Sequence, residues 1–461
     1  MTKLSLMLIL LLMVSIETFA QKDEKITILG DSLVGKYIDG QNIREILGNV
    51  VMTQGNVRIT CKKAIQYLAR NEAELIGDVV AVQDSITIYT ERGFYFGNEK
   101  YTFSETPVKL NDGHITLTAD KGYYYFDDDR AEFFNNVKLK DSVNTLLADQ
   151  LIYYNNLDKA VSIGNVKIFD DKSEIAADSL VHFRNKDLSY GYSNIKIQYP
   201  ENNVIITGGY LKDDGVNKYT FISQNPALTQ IDTSDNGQLD TLIVISKVME
   251  AYQDSTKKLV ASDSVKVIRS SFYSINNYSI MFRAKDEILT YKLETDVTQP
   301  IVWYENSQLT GDTVKVKMKD KKIKWIDVLG NSFVLSKEEN YENRFNQISG
   351  ERTIMYFDEN KLQKTEVIGN VLSYYYVFEE DEPNGVLKSS SERAKLLFKD
   401  NTVSDVKLYG SIKSEFHPEN LIKGKEREFT LPSFVLYTNK PDKKNILDVI
   451  PNFGYKKNGS N

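Results

Sequence analysis

The chain has 461 residues, a formal net charge of -7 and one cysteine, Cys61. Charges of both signs are interspersed, with no basic arm or stripe, which argues against a nucleic-acid partner; one cysteine excludes an intrachain disulfide and a thiolate metal cluster. With 28 Tyr, 21 Phe and only 9 Pro, the composition favours strands, where aromatic residues pack well on a pleated surface.

Residues 1–20 read as a secretory signal peptide. Lys3 gives a positive start, residues 4–16 are almost uniformly apolar, and Thr18 and Ala20 supply the small residues that a signal peptidase inspects. Cleavage is expected before Gln21. The apolar run is shorter than the ~20 residues of a membrane span, and no later stretch approaches that length.

From there the chain repeats. Asn49-Val50, Asp78-Val79, Pro107-Val108, Asn136-Val137, Asn165-Val166 and Asn194-Ile195 follow one another in steps of 29 residues. Ala-Asp pairs recur thirteen residues on, at Asp120, Asp149 and Asp178, and Tyr95, Tyr124 and Tyr153 share a third offset. Fixed-period similarity of this kind marks a repeat architecture. Val57-Arg58-Ile59, Val108-Lys109-Leu110, Val137-Lys138-Leu139 and Val166-Lys167-Ile168 alternate apolar and cationic residues, so each predicts a strand with one buried face. Asn111-Asp112-Gly113 and Asp170-Asp171-Lys172 predict turns, and Gly or Asn before each Val predicts a corner at positive φ. Each repeat is expected to contribute two short strands and two corners, stacked on its neighbours because one unit cannot bury its apolar face alone. This pattern fits a parallel β-helix and an antiparallel stack equally well. The array loosens over residues 200–238, resumes with wider spacing, and ends in a polar tail. The expected divisions are a signal peptide (1–20), a β-repeat domain (21–225), a more divergent β-repeat region (226–438) and the tail (439–461).

The Gly-Asn-Val openings at Gly48, Gly164 and Gly369, the Val-Lys-Ile type strands and the Ala-Asp-x-x-x-Tyr segments resemble the OstA-like family of periplasmic lipopolysaccharide-transport proteins. That resemblance implies an all-β fold, a repetitive antiparallel β-jelly-roll trough (β-taco), with two or more in tandem in a chain of this length. It implies lipopolysaccharide or a lipid A-like glycolipid as the ligand, a periplasmic location that extends to association with the outer membrane, and no catalysis or cofactor. Partners would be other transport proteins or further copies, joined by edge-strand pairing. The residues expected to line the groove are Val57, Ile59, Val79, Val108, Leu110, Val137, Leu139, Val166 and Ile168. Asp127-Asp128-Asp129 lacks the glycine and distal Glu of a calcium loop and reads as a solvated turn. His114, His182 and His417 form no ligand-spaced pair. Two other classes fit export and repetition: a β-helix polysaccharide-active enzyme, which would need acidic residues at matching offsets on one face, and a structural surface repeat protein, which would carry an attachment signal.

Overall fold

A computed structural model describes residues 27–54, 56–233, 239–319, 322–338, 340–359, 361–380, 382–399 and 402–443. The expected signal peptide, its cleavage site and residues 444–461 of the tail lie outside the described residues. The described chain is mostly antiparallel strand, with one α-helical turn at Glu419–Ile422 and four short 3-10 turns. This settles the choice that the repeat period leaves open: successive strands pair antiparallel, as a jelly-roll trough requires and a parallel β-helix does not. None of the described helices is long and apolar enough to cross a membrane. The chain divides into two compact units, residues 1–201 with 208–219, and residues 202–207 with 220–461.

In the first unit the repeat consists of two strands of ten to twelve residues, such as Arg130–Lys140 with Thr145–Tyr154, and Lys159–Phe169 with Glu174–Phe183. The sequence pattern predicts shorter strands beginning at Gly-Asn-Val. Instead that motif lies in mid-strand and forms a β-bulge. Gly164 and Asn165 both adopt positive φ (75° and 47°), and the pairing register shifts between Ile163 and Val166. Gly48-Asn49 and Gly77-Asp78 do the same. A bulge bends its strand, so the strand halves on either side bury the same face. Ile46 and Val50, which flank Gly48-Asn49, belong to one buried cluster with Leu75 and Val79, which flank Gly77-Asp78.

The Ala-Asp motif explains why the bulge repeats. Asn49 donates its side-chain amide to Asp31, Asn136 to Asp120, Asn165 to Asp149 and Asn194 to Asp178, at 2.8–3.0 Å. Asp149 and Asp178 sit on the neighbouring strand, and Asp31 and Asp120 in the bend between two short strands that both pair with the bulged one; each holds the bulge in place. At Gly77-Asp78 the polarity is reversed, and Lys62 of the neighbouring strand pairs with Asp78. A Cβ on Gly164 would lie 2.3 Å from the Asp149 carboxylate, so glycine is required there by contact as well as by φ. Pro107 cannot take the positive φ of this site. There the strand is interrupted between Tyr101–Ser104 and Val108–Asn111, and a hydroxyl cluster of Thr90, Ser104 and Thr106 replaces the clasp.

The second unit repeats the device with longer spacing: Asp312 with Asn331, Glu351 with Asn370, and Glu392 with Ser411. Its strands run to 19 residues, as in Lys361–Glu379. One difference from the sequence expectation is large. In Lys322–Lys337 the alternation fails, because Phe333 and Leu335 are buried on the face opposite Val334. Strands end at Pro418, and residues 419–443 cross this second apolar face as a strap. Two buried glutamines read its backbone. Gln347 donates to the Phe429 carbonyl and accepts from Leu431 N, and Gln308 does so with Val435 and Tyr437. Ile422 and Leu431 complete the cluster of Phe333, Leu335, Phe345, Tyr374 and Tyr376.

Candidate functional site

Six of the nine expected groove residues fall on the inner face of the first unit in one continuous row and one set of cross-strand pairs. One row runs Leu110, Leu117, Leu139, Leu146, Ile168, Ile175, Ile197, each paired directly with the next. The other pairs a Val with the Ala of Ala-Asp: Val108 with Ala119, Val137 with Ala148, Val166 with Ala177. The large-small pairing accounts for the alanine in that motif, since it faces the valine just after the bulge. Seven of the nine residues (Val79, Val108, Leu110, Val137, Leu139, Val166 and Ile168) are buried, at most 6% exposed. Val57 and Ile59 are half-buried near the start of the sheet, Ile59 against the Ile46 cluster. The intervening Lys109, Lys138 and Lys167 are exposed, as the alternation predicts. The phase fails at the far end of the second unit, where Val406 is 48% exposed on a terminal strand.

The expected groove set left out the members contributed by alternate strands, Leu117, Leu146 and Ile175, and Ile197 of the next repeat. Their signal was the same period of two in segments such as Thr116-Leu117-Thr118-Ala119. It also left the other half of the trough undefined. There the third repeat offset forms a row of its own: Tyr95, Thr102, Tyr124, Ala131, Tyr153, Ala160, His182, Ser189. His182 occupies the tyrosine position of its repeat. Burial pushes the Tyr153 hydroxyl up to about 12 and lowers the His182 imidazole, so both stay neutral near neutral pH. Tyr124 donates to Asp129 at 2.7 Å.

The three consecutive aspartates turn outward and each has a protein partner: Asp127 with Lys100, Asp128 with Arg130, and Asp129 with Tyr124 and Asn155. Asp120, Asp149 and Asp178 are occupied in clasps. The inner rows are therefore apolar, with scattered neutral polar groups and no carboxylate or ammonium among them. Such a surface holds ligands by area, at ~0.8 kcal/mol per buried methylene.

Two edges frame these units. Thr27–Leu29 and Ser32–Ile38 pair only with Gln41–Gln54 among the described residues. This first edge exposes Leu29 (63%), Leu33 (64%) and Tyr37 (73%). At the other end Thr402–Tyr409 and Lys413–Pro418 pair only with Glu382–Lys399 among the described residues, leaving Val406, Tyr409 and Phe416 exposed.

The sequence profile of the OstA-like protein family matches residues 23–178. Residues 23–178 are an OstA-like segment. It contains the clasped bulges at Asn49, Asn136 and Asn165 and all nine expected groove residues. No curated protein matches the chain. Among solved structures there is a match to LptH of Pseudomonas aeruginosa, described as the LptA-homologous periplasmic component of the conserved lipopolysaccharide transport device. The identity is 16%, over 28% of this chain and 76% of LptH, with a TM-score of 0.15. At that score the likeness carries no weight for the fold, which rests on the strand pairing itself.

Proposed function

We propose that the chain is a non-catalytic carrier that holds the acyl chains of lipopolysaccharide, or of a lipid A-like glycolipid, between the inner faces of its OstA-like segment. On this reading it conveys the glycolipid across the periplasm towards the outer membrane. The observation that carries the reading is the unbroken apolar row from Leu110 to Ile197, with the Val–Ala pairs 108/119, 137/148 and 166/177 beside it, on the inside of a sheet bent at clasped bulges. Backbone hydrogen bonds run between neighbouring strands, within each face. The opposed faces meet through side chains, so acyl chains can part them without breaking the ladder. The OstA-like match over residues 23–178 supports the reading.

The exposed apolar edge strands fit strand addition, with a second copy or another transport component pairing to Ser32–Ile38 or Thr402–Tyr409. Such pairing would join carriers into a bridge. The test is lipid mass spectrometry on protein purified under native conditions from its own periplasm. A stoichiometric glycolipid is expected. Protein that carries no amphiphile, and takes up none when incubated with lipopolysaccharide, would overturn the proposal.

A further inference from the structure

The strap on the second unit follows a row of side chains that crosses the strands. Gln347, Leu335, Gln308, Trp303, Tyr273, Ile268 and Ile243 pair in turn, each directly across from the next. Phe429 and Leu431 are held at Gln347, and Val435 and Tyr437 at Gln308, two strands further on. Two strands beyond that, the Lys440 ammonium lies 4.4 Å from the centre of the Tyr273 ring, and Pro441 is buried. The strap thus moves along one row, advancing two strands every few residues.

The row continues past Tyr273. Leu242 and Val244 belong to the inner core, so Ile243 between them points outward. Ile243 and Ile268 are nonetheless 0% exposed. Among the described residues, the apolar side chains packed on these two and on Ala227 are Ile245 and Tyr273, which lie in the same sheet. Neighbours within one sheet shield each other's flanks and leave the top of the layer to water, so an outward isoleucine is fully buried only beneath a second layer. After Lys443 the otherwise polar tail carries Ile446, Leu447, Val449 and Ile450. We propose that residues 446–450 carry the strap on along this row and cap Ile268, Ile243 and Ala227. One C-terminal belt then seals the outward apolar face of the second unit. Chain length allows it. The six residues from Lys440 to Ile446 can reach up to ~20 Å, and Ile243 lies two strands beyond Tyr273, ~10 Å away. The inference stands apart from the carrier reading, because it concerns the opposite face of the sheet.

The test places benzoylphenylalanine at position 450 of the full chain. Isotopically light and heavy protein are mixed and irradiated, and the crosslinked peptides are identified by mass spectrometry. Crosslinks to residues 227–245 and 266–273, within chains of one label, are expected. Crosslinks between labels would seat a second copy's segment on the face. That result, crosslinks to other parts of the chain, or none at all would each overturn the proposal. A second measurement is amide exchange in an Ile446→Ser, Ile450→Ser double variant. Exchange should speed up about tenfold at residues 241–245 and 266–269, and stay unchanged at Val328 and Val367 elsewhere in the unit. Wild-type exchange at all of these positions would equally count against the belt.

Discussion

Leu139→Asp and Ile168→Asp are each expected to destabilise the first unit by several kcal/mol, enough to unfold a domain of ordinary stability. Leu139 is 2% exposed between Leu117 and Leu146, and Ile168 is 6% exposed between Leu146 and Ile175. A carboxylate at either place has no cation on its row to pair with. The substitution also removes a side chain whose burial is worth ~1.5–3 kcal/mol. One residue away the outcome reverses. Lys138→Glu and Lys167→Glu should change stability by no more than about 0.5 kcal/mol, because both lysines face solvent. Lys167 lies 3.8 Å from Glu174, but both side chains are well exposed and such a pair contributes little. Thermal melts of the four variants decide the point. If the lysine variants unfold and the aspartate variants do not, the strand phase is wrong by one residue.

The second large effect concerns the strap. Arg344, with its side chain 5% exposed, donates to both carboxylate oxygens of Glu419 at 2.6 and 3.0 Å, and Glu426 lies 3.7 Å away. The Tyr341 and Tyr376 rings flank its guanidinium at 4.8 and 5.4 Å. Arg344→Ala should cost about 3 kcal/mol, since it strands two partly buried carboxylates. The loss should fall mainly on residues 419–437, seen as faster hydrogen exchange and earlier proteolysis there than in the strands beneath. Arg344→Lys should recover only part of the loss, because an ammonium cannot make the paired contact to Glu419. Unchanged protection of the strap in Arg344→Ala would mean that the glutamine clasps and apolar contacts hold it unaided.

Much of the trough is legible in the residues, because alternation and the 29-residue period act locally. Val137-Lys138-Leu139 declares its buried face through side-chain period alone, and Gly164-Asn165 declares positive φ. What those residues do not declare is continuity of the strand through the motif. Two left-handed residues in succession look like the end of an element, and only the cross-strand bond from Asn165 to Asp149 makes them a bulge inside one. The Ala-Asp motif is likewise opaque in isolation, since its aspartate serves a residue 16 positions on in another strand. The strap was missed for a related reason. Gln308 and Gln347 look like ordinary polar strand positions, yet they bind backbone groups over 80 residues away. The available signal was the uninterrupted apolar run Phe333-Val334-Leu335, which denotes a strand buried on both faces.

The central claim is that glycolipid lies on the inner face of the OstA-like segment, and the most direct measurement is site-specific photocrosslinking in living cells. A photoreactive amino acid is placed in turn at Leu139, Ile168, Lys138 and Lys167, and adducts are probed for lipopolysaccharide. Adducts from positions 139 and 168, with none from 138 and 167, are the predicted result. Adducts from the lysine positions alone, or equally from all four, would contradict an interior path for the lipid.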